Sequence, residues 1–193
     1  MMTMKPSDPT VLERRVSELE TENLQLTERT LGAEQRLIRA AQLYASVAEL
    51  HKTSDTDEVV TVIKEIVANL LGCEEMGVYD VWPLGPVCTL VDGIGLDANK
   101  FGTLPPTHPV VRAAINSKRV LVPADPMIEP LNGLPITALI PLTDGDELCG
   151  LVVLFRMLRQ KPVMEPSDLD LLDALGAHAG RALIHARLRE QAR

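Results

Sequence analysis

Three cysteines, Cys73, Cys88 and Cys149, and four histidines, His51, His108, His178 and His185, are the side chains that could carry nucleophilic, redox or metal chemistry. The cysteines are odd in number and widely spaced, so they fit neither a disulfide framework nor the CxxC-like pairs of a zinc site. Each sits among apolar neighbours, which predicts a small buried hydrophobe. A reactive thiol needs a basic or helix-N-terminal setting. Glu74 and Glu75 beside Cys73, and Asp146 and Glu147 beside Cys149, supply the opposite charge. His178 and His185 lie seven apart and share a helix face, which predicts a bundle or solvent face rather than a ligand set. Asp144, Asp146 and Glu147 lack the twelve-residue ligand pattern of a calcium loop. No P-loop or GxGxxG occurs. The expectation is a non-catalytic protein without metal or cofactor.

Composition narrows the classes further. A chain of 193 residues suits one domain plus an appendage. Apolar residues at 46% and charged residues at 24% are ordinary for a globular protein. Aromatics are only 3%, so stacking platforms for single-stranded nucleic acid are scarce. The net charge is −8, and no basic run exceeds a pair such as Arg14-Arg15. A duplex binder needs a basic face to displace counterions, so nucleic acid is not an expected partner. No segment reaches the roughly 20 apolar residues of a membrane span, and the start lacks a signal-peptide core. Both absences predict a cytoplasmic protein.

The elements that position these residues begin with a stalk. Residues 1–10 read as a flexible tail and 11–42 as a coiled-coil stalk, with the globular domain over 43–190. Alternating steps of four and three land on Leu12, Val16, Leu19, Asn23, Leu26, Thr30, Ala33, Leu37, Ala40, Tyr44 and Val47. Nine of those eleven are apolar, which keeps one seam facing a partner helix. Asn23 falls at an a position, where an Asn facing its own copy specifies register and favours a parallel dimer. The predicted homodimer seam is therefore Leu12, Val16, Leu19, Asn23, Leu26, Leu37, Tyr44 and Val47.

In the domain, Ser54 or Asp55 caps a helix running to Gly72. Met76–Trp82 and Val87–Ile94 read as strands around a Pro83, Gly85-Pro86 turn. A loop spans 97–106. Thr107 caps a short helix from Pro109 to Ser117. Arg119–Val122 reads as a short strand, 123–134 as a loop, and Ile136–Leu142 and Leu148–Phe155 as strands joined by the Asp144-Gly145 turn. A last helix starts near Ser167. Strands in runs with helices at both ends predict an antiparallel sheet in an α+β domain.

The order and spacing of four stretches resemble the GAF domain family over about residues 40–190. They are Leu43-Tyr44 to Leu71, PVVRAAINSKRVLVPAD, ITALIPLTDGDELCGLVVLF and EPSDLDLLDALGAHAGRALIHA. The resemblance implies a central antiparallel sheet flanked by helices, with first and last helices that pair with a second copy. It implies a pocket between the sheet and segments 97–117 and 123–135, with Phe101, His108, Arg112 and Leu139 as candidate lining. Cyclic-nucleotide binders of the family carry Asn-Lys, Phe and Asp-Glu near the end of the domain, of which only Asp168 matches. Bilin binders use a Cys beside a His, but Thr107 and Pro109 flank His108. Free methionine sulfoxide reductases use several pocket cysteines, in a different sequence setting. The resemblance therefore implies a dimeric regulatory module whose partner is another signalling or scaffold protein. The alternatives are a structural adaptor with a degenerate pocket and, behind it, a sulfoxide reductase.

Overall fold

The computed structural model describes residues 9–53, 55–81, 87–105, 107–123, 129–159, 164 and 166–192. Most of the expected N-terminal tail, Ser54, the Pro83 and Gly85-Pro86 turn, and residues 124–128 of the expected loop lie outside them. The chain divides into two units, Met1–Ala40 and Ala41–Arg193.

The first unit is helical. Helix α1 runs Pro9–Lys52, and its residues to Ala40 belong to this unit. Leu12, Val16, Leu19, Leu26 and Leu37 are exposed by 48% (Leu19) to 72% (Leu37). Asn23 is exposed too, and its carbonyl accepts the Thr27 hydroxyl at 2.8 Å.

The second unit opens with the last three turns of α1, where Leu43, Val47 and Leu50 are buried in its core. Val47, expected in the dimer seam, is only 8% exposed, whereas Tyr44 is 79% exposed. Val47 is thus no seam residue: it shares a helix face with Leu43 and Leu50, and this unit's own core covers that face. Helix α2 (Thr56–Leu71) is capped by Asp55, whose side chain accepts from the Asp57 and Glu58 amides, and ends at Gly72 with φ 68°. Gly72 takes the left-handed conformation that closes a helix without Cβ strain.

A five-stranded antiparallel sheet follows, in the order β3-β2-β1-β5-β4. The strands are β1 (Cys73–Val81), β2 (Cys88–Ile94), β3 (Thr103–Leu104), β4 (Ala138–Asp144) and β5 (Glu147–Met157). Helices α3 (Ala98–Phe101) and α4 (Pro109–Ser117) lie between β2 and β4 in sequence, and α5 (Pro166–Gln191) closes the chain. Alternation sends Met76, Val78, Ile140, Val152 and Leu154 into a core shared with the end of α1, α2 and α5. Tyr79, Leu139, Leu151, Val153 and Phe155 enter a second core with α3, α4 and their connections.

Three local expectations change. The 97–106 loop contains α3, capped by Asp97 and anchored by buried Phe101, and then β3, which pairs with Cys88 and Thr89. The expected strand Arg119–Val122 reduces to one bridge, Leu121 with Leu139. The Val120 amide is taken by Asp173 Oδ1 at 2.7 Å, and Pro123 has no amide, so the ladder cannot extend. The cap of α4 is His108 rather than Thr107: His108 Nδ1 accepts the Val110 amide at 3.3 Å.

Helix α5 lies against β4 with little between them. Its Gly176 and Gly180 sit one turn apart, so both face the strand. A Cβ on Gly176 would come 2.5 Å from the Pro141 carbonyl oxygen, and one on Gly180 2.4 Å from the Thr143 backbone.

Candidate functional site

The sheet face under α3 and α4 is where the sequence places a pocket. Each side chain reaching it comes from an alternate strand position or from the apolar side of α4. Phe101 packs edge-on against Phe155 with ring centroids 5.4 Å apart. Leu139 is fully buried, and its amide and carbonyl both bond to Leu121, at 2.9 and 3.0 Å. Val110, Val111, Ala113 and Ala114 of α4 close over them. Phe101 and Leu139 are thus brought together as core residues. His108 is half-buried with its ring engaged as a helix cap, and Arg112 is on the exposed side of α4.

The polar side-chain atoms of this core are the Tyr79 hydroxyl and the Cys88 thiol. Tyr79 is 0% exposed, and its hydroxyl has no hydrogen-bond partner among the described residues. Burial first, then the nearby Cys88, pushes the phenol far above its ordinary value. The sequence held a signal for this residue: with Met76 and Val78 on one face of β1, Tyr79 must face the other.

The three thiols are free, buried and dispersed. Burial pushes each up to about 11. Cys73 donates to the carbonyls of Glu75 and Arg156 at 3.3 Å, and Cys149 to that of Glu147 at 3.4 Å. A thiol held protonated at neutral pH is a poor nucleophile, because the thiolate is the reactive species.

On the α5 side, Asp80 of β1 pairs with Arg187, which also donates to the Cys149 carbonyl at 3.2 Å. Burial raises the Asp80 carboxyl, partly offset by the Arg187 charge. The last turns of α1 and helix α2 border a cavity of about 400 Å³ lined by Gln42, Ala45, Ser46, Glu49, Val62, Glu65, Ile66 and Asn69. His51 Nε2 stands 3.3 Å from His178 Nδ1, and a cavity of about 110 Å³ beside them is lined by Leu50, His51, Thr53, Ala182, His185 and Arg189. The sequence grouped His178 with His185 but gave no sign that His51 joins them, since 127 residues separate the contacting pair. Among the described residues no group of three or more His, Cys, Asp or Glu is placed to hold a metal ion.

The model of the GAF domain family matches residues 55–183. No curated protein matches the sequence. The GAF domain of a phosphoenolpyruvate-protein phosphotransferase from Coxiella burnetii is similar in structure, with TM-score 0.65, 12% identity, and coverage of 81% of this chain and 98% of that one. A GAF domain/HD domain protein from Geobacter sulfurreducens is similar at TM-score 0.57 and 19% identity, covering 74% and 98%. The free methionine-R-sulfoxide reductase from Neisseria meningitidis, solved in complex with its substrate, is similar at TM-score 0.59 and 15% identity, covering 80% and 93%. At these identities the likeness is one of fold.

Proposed function

This chain belongs to the GAF domain family, and from that premise we propose that it is a non-catalytic, dimeric regulatory module that acts through protein contacts. The observation that carries this is the exposed seam: Leu12, Val16, Leu19 and Leu26 repeat at heptad spacing and are each about half exposed or more in the single chain. Apolar side chains at that period are stabilised when a second helix covers them. Asn23 within the seam supports a parallel two-fold pairing. The packing of Phe101, Leu139 and the apolar side of α4 into one core supports a partner protein, a signalling or scaffold component, over a small ligand. The net charge of −8 speaks against nucleic acid. No described helix is long and apolar enough to cross a membrane, and the proposed location is the cytoplasm.

The Neisseria relative makes sulfoxide reduction the enzymatic alternative. Three buried thiols pushed up to about 11 speak against it here. The test is light scattering of the full chain, of a chain lacking residues 1–36, and of Leu19→Asp/Leu26→Asp. A dimer that becomes a monomer in the two variants is expected. A full chain that is already monomeric, or variants that stay dimeric, would sink the proposal.

A further inference from the structure

The chain carries a net charge of −8, yet basic side chains gather along one face of α5 in the second unit. Helix α5 places His178, Arg181, His185 and Arg189 at steps of three, four and four, which puts them on one face. The end of α1 brings His51 to the same place in the fold, with Lys52 next to it in sequence. The rings of His51 and His178 meet edge-on, with centroids 5.5 Å apart. Some of the patch is already engaged. Arg181 pairs with Asp144 at 3.3 Å, and Lys52 with Glu49 at 3.3 Å. The nearby Glu190 carboxylate accepts the Thr56 amide at 2.7 Å, and Asp55 caps α2. His185 and Arg189 have no hydrogen-bond or ion-pair partner among the described residues, and both line the 110 Å³ cavity with His51.

We infer that this cavity is a binding site for one tetrahedral oxyanion of the phosphate class, held by Arg189, His185 and His51. The volume of about 110 Å³ is room enough for one such group. A guanidinium fork matches two oxygens of a phosphate, and two imidazoles supply N–H donors to the rest.

Charge explains why the site favours an anion. Partial burial, then His178, Arg181 and His185, all oppose protonation of His51. An anion in the cavity reverses that balance, because an opposite charge favours the charged imidazole. His51 then uses both nitrogens: Nε2–H donates to His178 Nδ1, and Nδ1–H to the anion. By linkage, binding tightens as pH falls through the imidazole range, and the bound anion raises the histidine pKa. The site needs residues of the second unit alone.

The experiment uses the full chain, with sulfate as the probe because sulfate does not itself titrate near neutrality. Histidine ring resonances are followed by NMR at pH 7.5 and 6.0, at constant ionic strength set with chloride. The expected result is saturable shifts of His51 and His185, several-fold tighter binding at pH 6.0, and roughly tenfold weaker binding in Arg189→Gln, the scale of one lost charge-assisted contact. His185→Gln provides a second, independent weakening, and both side chains are exposed, so folding is checked by melting temperature. Inorganic phosphate and glycerol 3-phosphate form two further arms. A preference for glycerol 3-phosphate assigns the site to a phosphomonoester, and equal or weaker binding assigns it to the free anion. Shifts that follow ionic strength without saturating, or unchanged affinity in both variants, overturn the site.

Discussion

Replacing Tyr79 by Phe tests whether the sheet face under α4 is a closed core or a working pocket. The side chain is 0% exposed, and its hydroxyl has no hydrogen-bond partner among the described residues. A buried hydroxyl with no hydrogen bond costs about 1–3 kcal/mol relative to water. Phe keeps the ring and its packing and removes only that cost. Tyr79→Phe is therefore expected to stabilise the domain by about 1–2 kcal/mol, taking the lower part of that range because the ring edge loses some contact. For a domain of about 150 residues each kcal/mol moves the melting temperature by roughly 2–4 °C, so a rise of about 2–8 °C is expected. Calorimetry and urea unfolding of both forms, purified identically, measure it. Leu139→Ala in the same core sets the opposite scale, with an expected loss of about 2–5 kcal/mol. A Tyr79→Phe protein destabilised by more than about 1 kcal/mol would refute the reasoning. It would mean that water or a ligand normally satisfies the hydroxyl, and that the face is built to receive one.

The remaining predictions concern the helix face and the titrating groups. Gly180→Ala puts a Cβ within 2.4 Å of the Thr143 backbone, so α5 must move off β4; a loss of about 2–3 kcal/mol is expected by thermal unfolding. Ellman's reagent at pH 8 is expected to leave Cys73, Cys88 and Cys149 unmodified in the native chain and to label all three in urea, because burial holds each thiol up at about 11. One rapidly labelled native thiol would contradict that. The folded-state pKa of His51 lies below its ordinary value of 6.5, so its contribution to stability is fully present above that value and lost as pH falls through the depressed one. Melting curves in chloride buffer at pH 7.5 and 5.5 are therefore expected to separate less in His51→Gln than in the native chain.

Local signals in the sequence carried much of the fold. Asp55, Gly72 and the Asp144-Gly145 turn act within four residues of where they sit, so capping and turn chemistry found them. The strands over 76–81, 88–94 and 148–155 follow from short apolar runs bounded by turn residues. What stayed hidden depends on partners far along the chain. Val120 gives its amide to Asp173, 53 residues away, and that contact removes a strand the apolar run suggested. Thr107 and His108 are both competent caps, and only the observed turn decides between them. Gly176 and Gly180 look like weak points in a helix until β4 is laid against them. His51 meeting His178 and Asp80 meeting Arg187 have no sequence signature, because ion and imidazole pairs have no periodicity. Of the candidate pocket residues, Phe101 and Leu139 converge in one buried core, while His108 and Arg112 do not join it.

That convergence bears on how a ligand could act on this face. Access to the part of the sheet that Phe101 and Leu104 cover requires α3 and β3 to move away from it. Helix α3 has four residues, and its surroundings are held by the Leu90 amide on the Gly102 carbonyl at 2.8 Å and the Asn132 side-chain amide on the Lys100 carbonyl at 2.6 Å. Those bonds are few, so the larger cost of opening is hydrophobic. Exposing Phe101 and Leu104 alone, both nearly fully buried, costs about 1.5–3 kcal/mol each. The sum, roughly 3–6 kcal/mol, lowers a ligand's apparent affinity by about 10²–10⁴-fold unless the ligand re-covers the same surface. A small polar effector such as a nucleotide offers little apolar area to do that. A protein partner docking on the outer surface of α3 and α4 incurs none of this cost, which supports the proposal that the module acts through protein contacts.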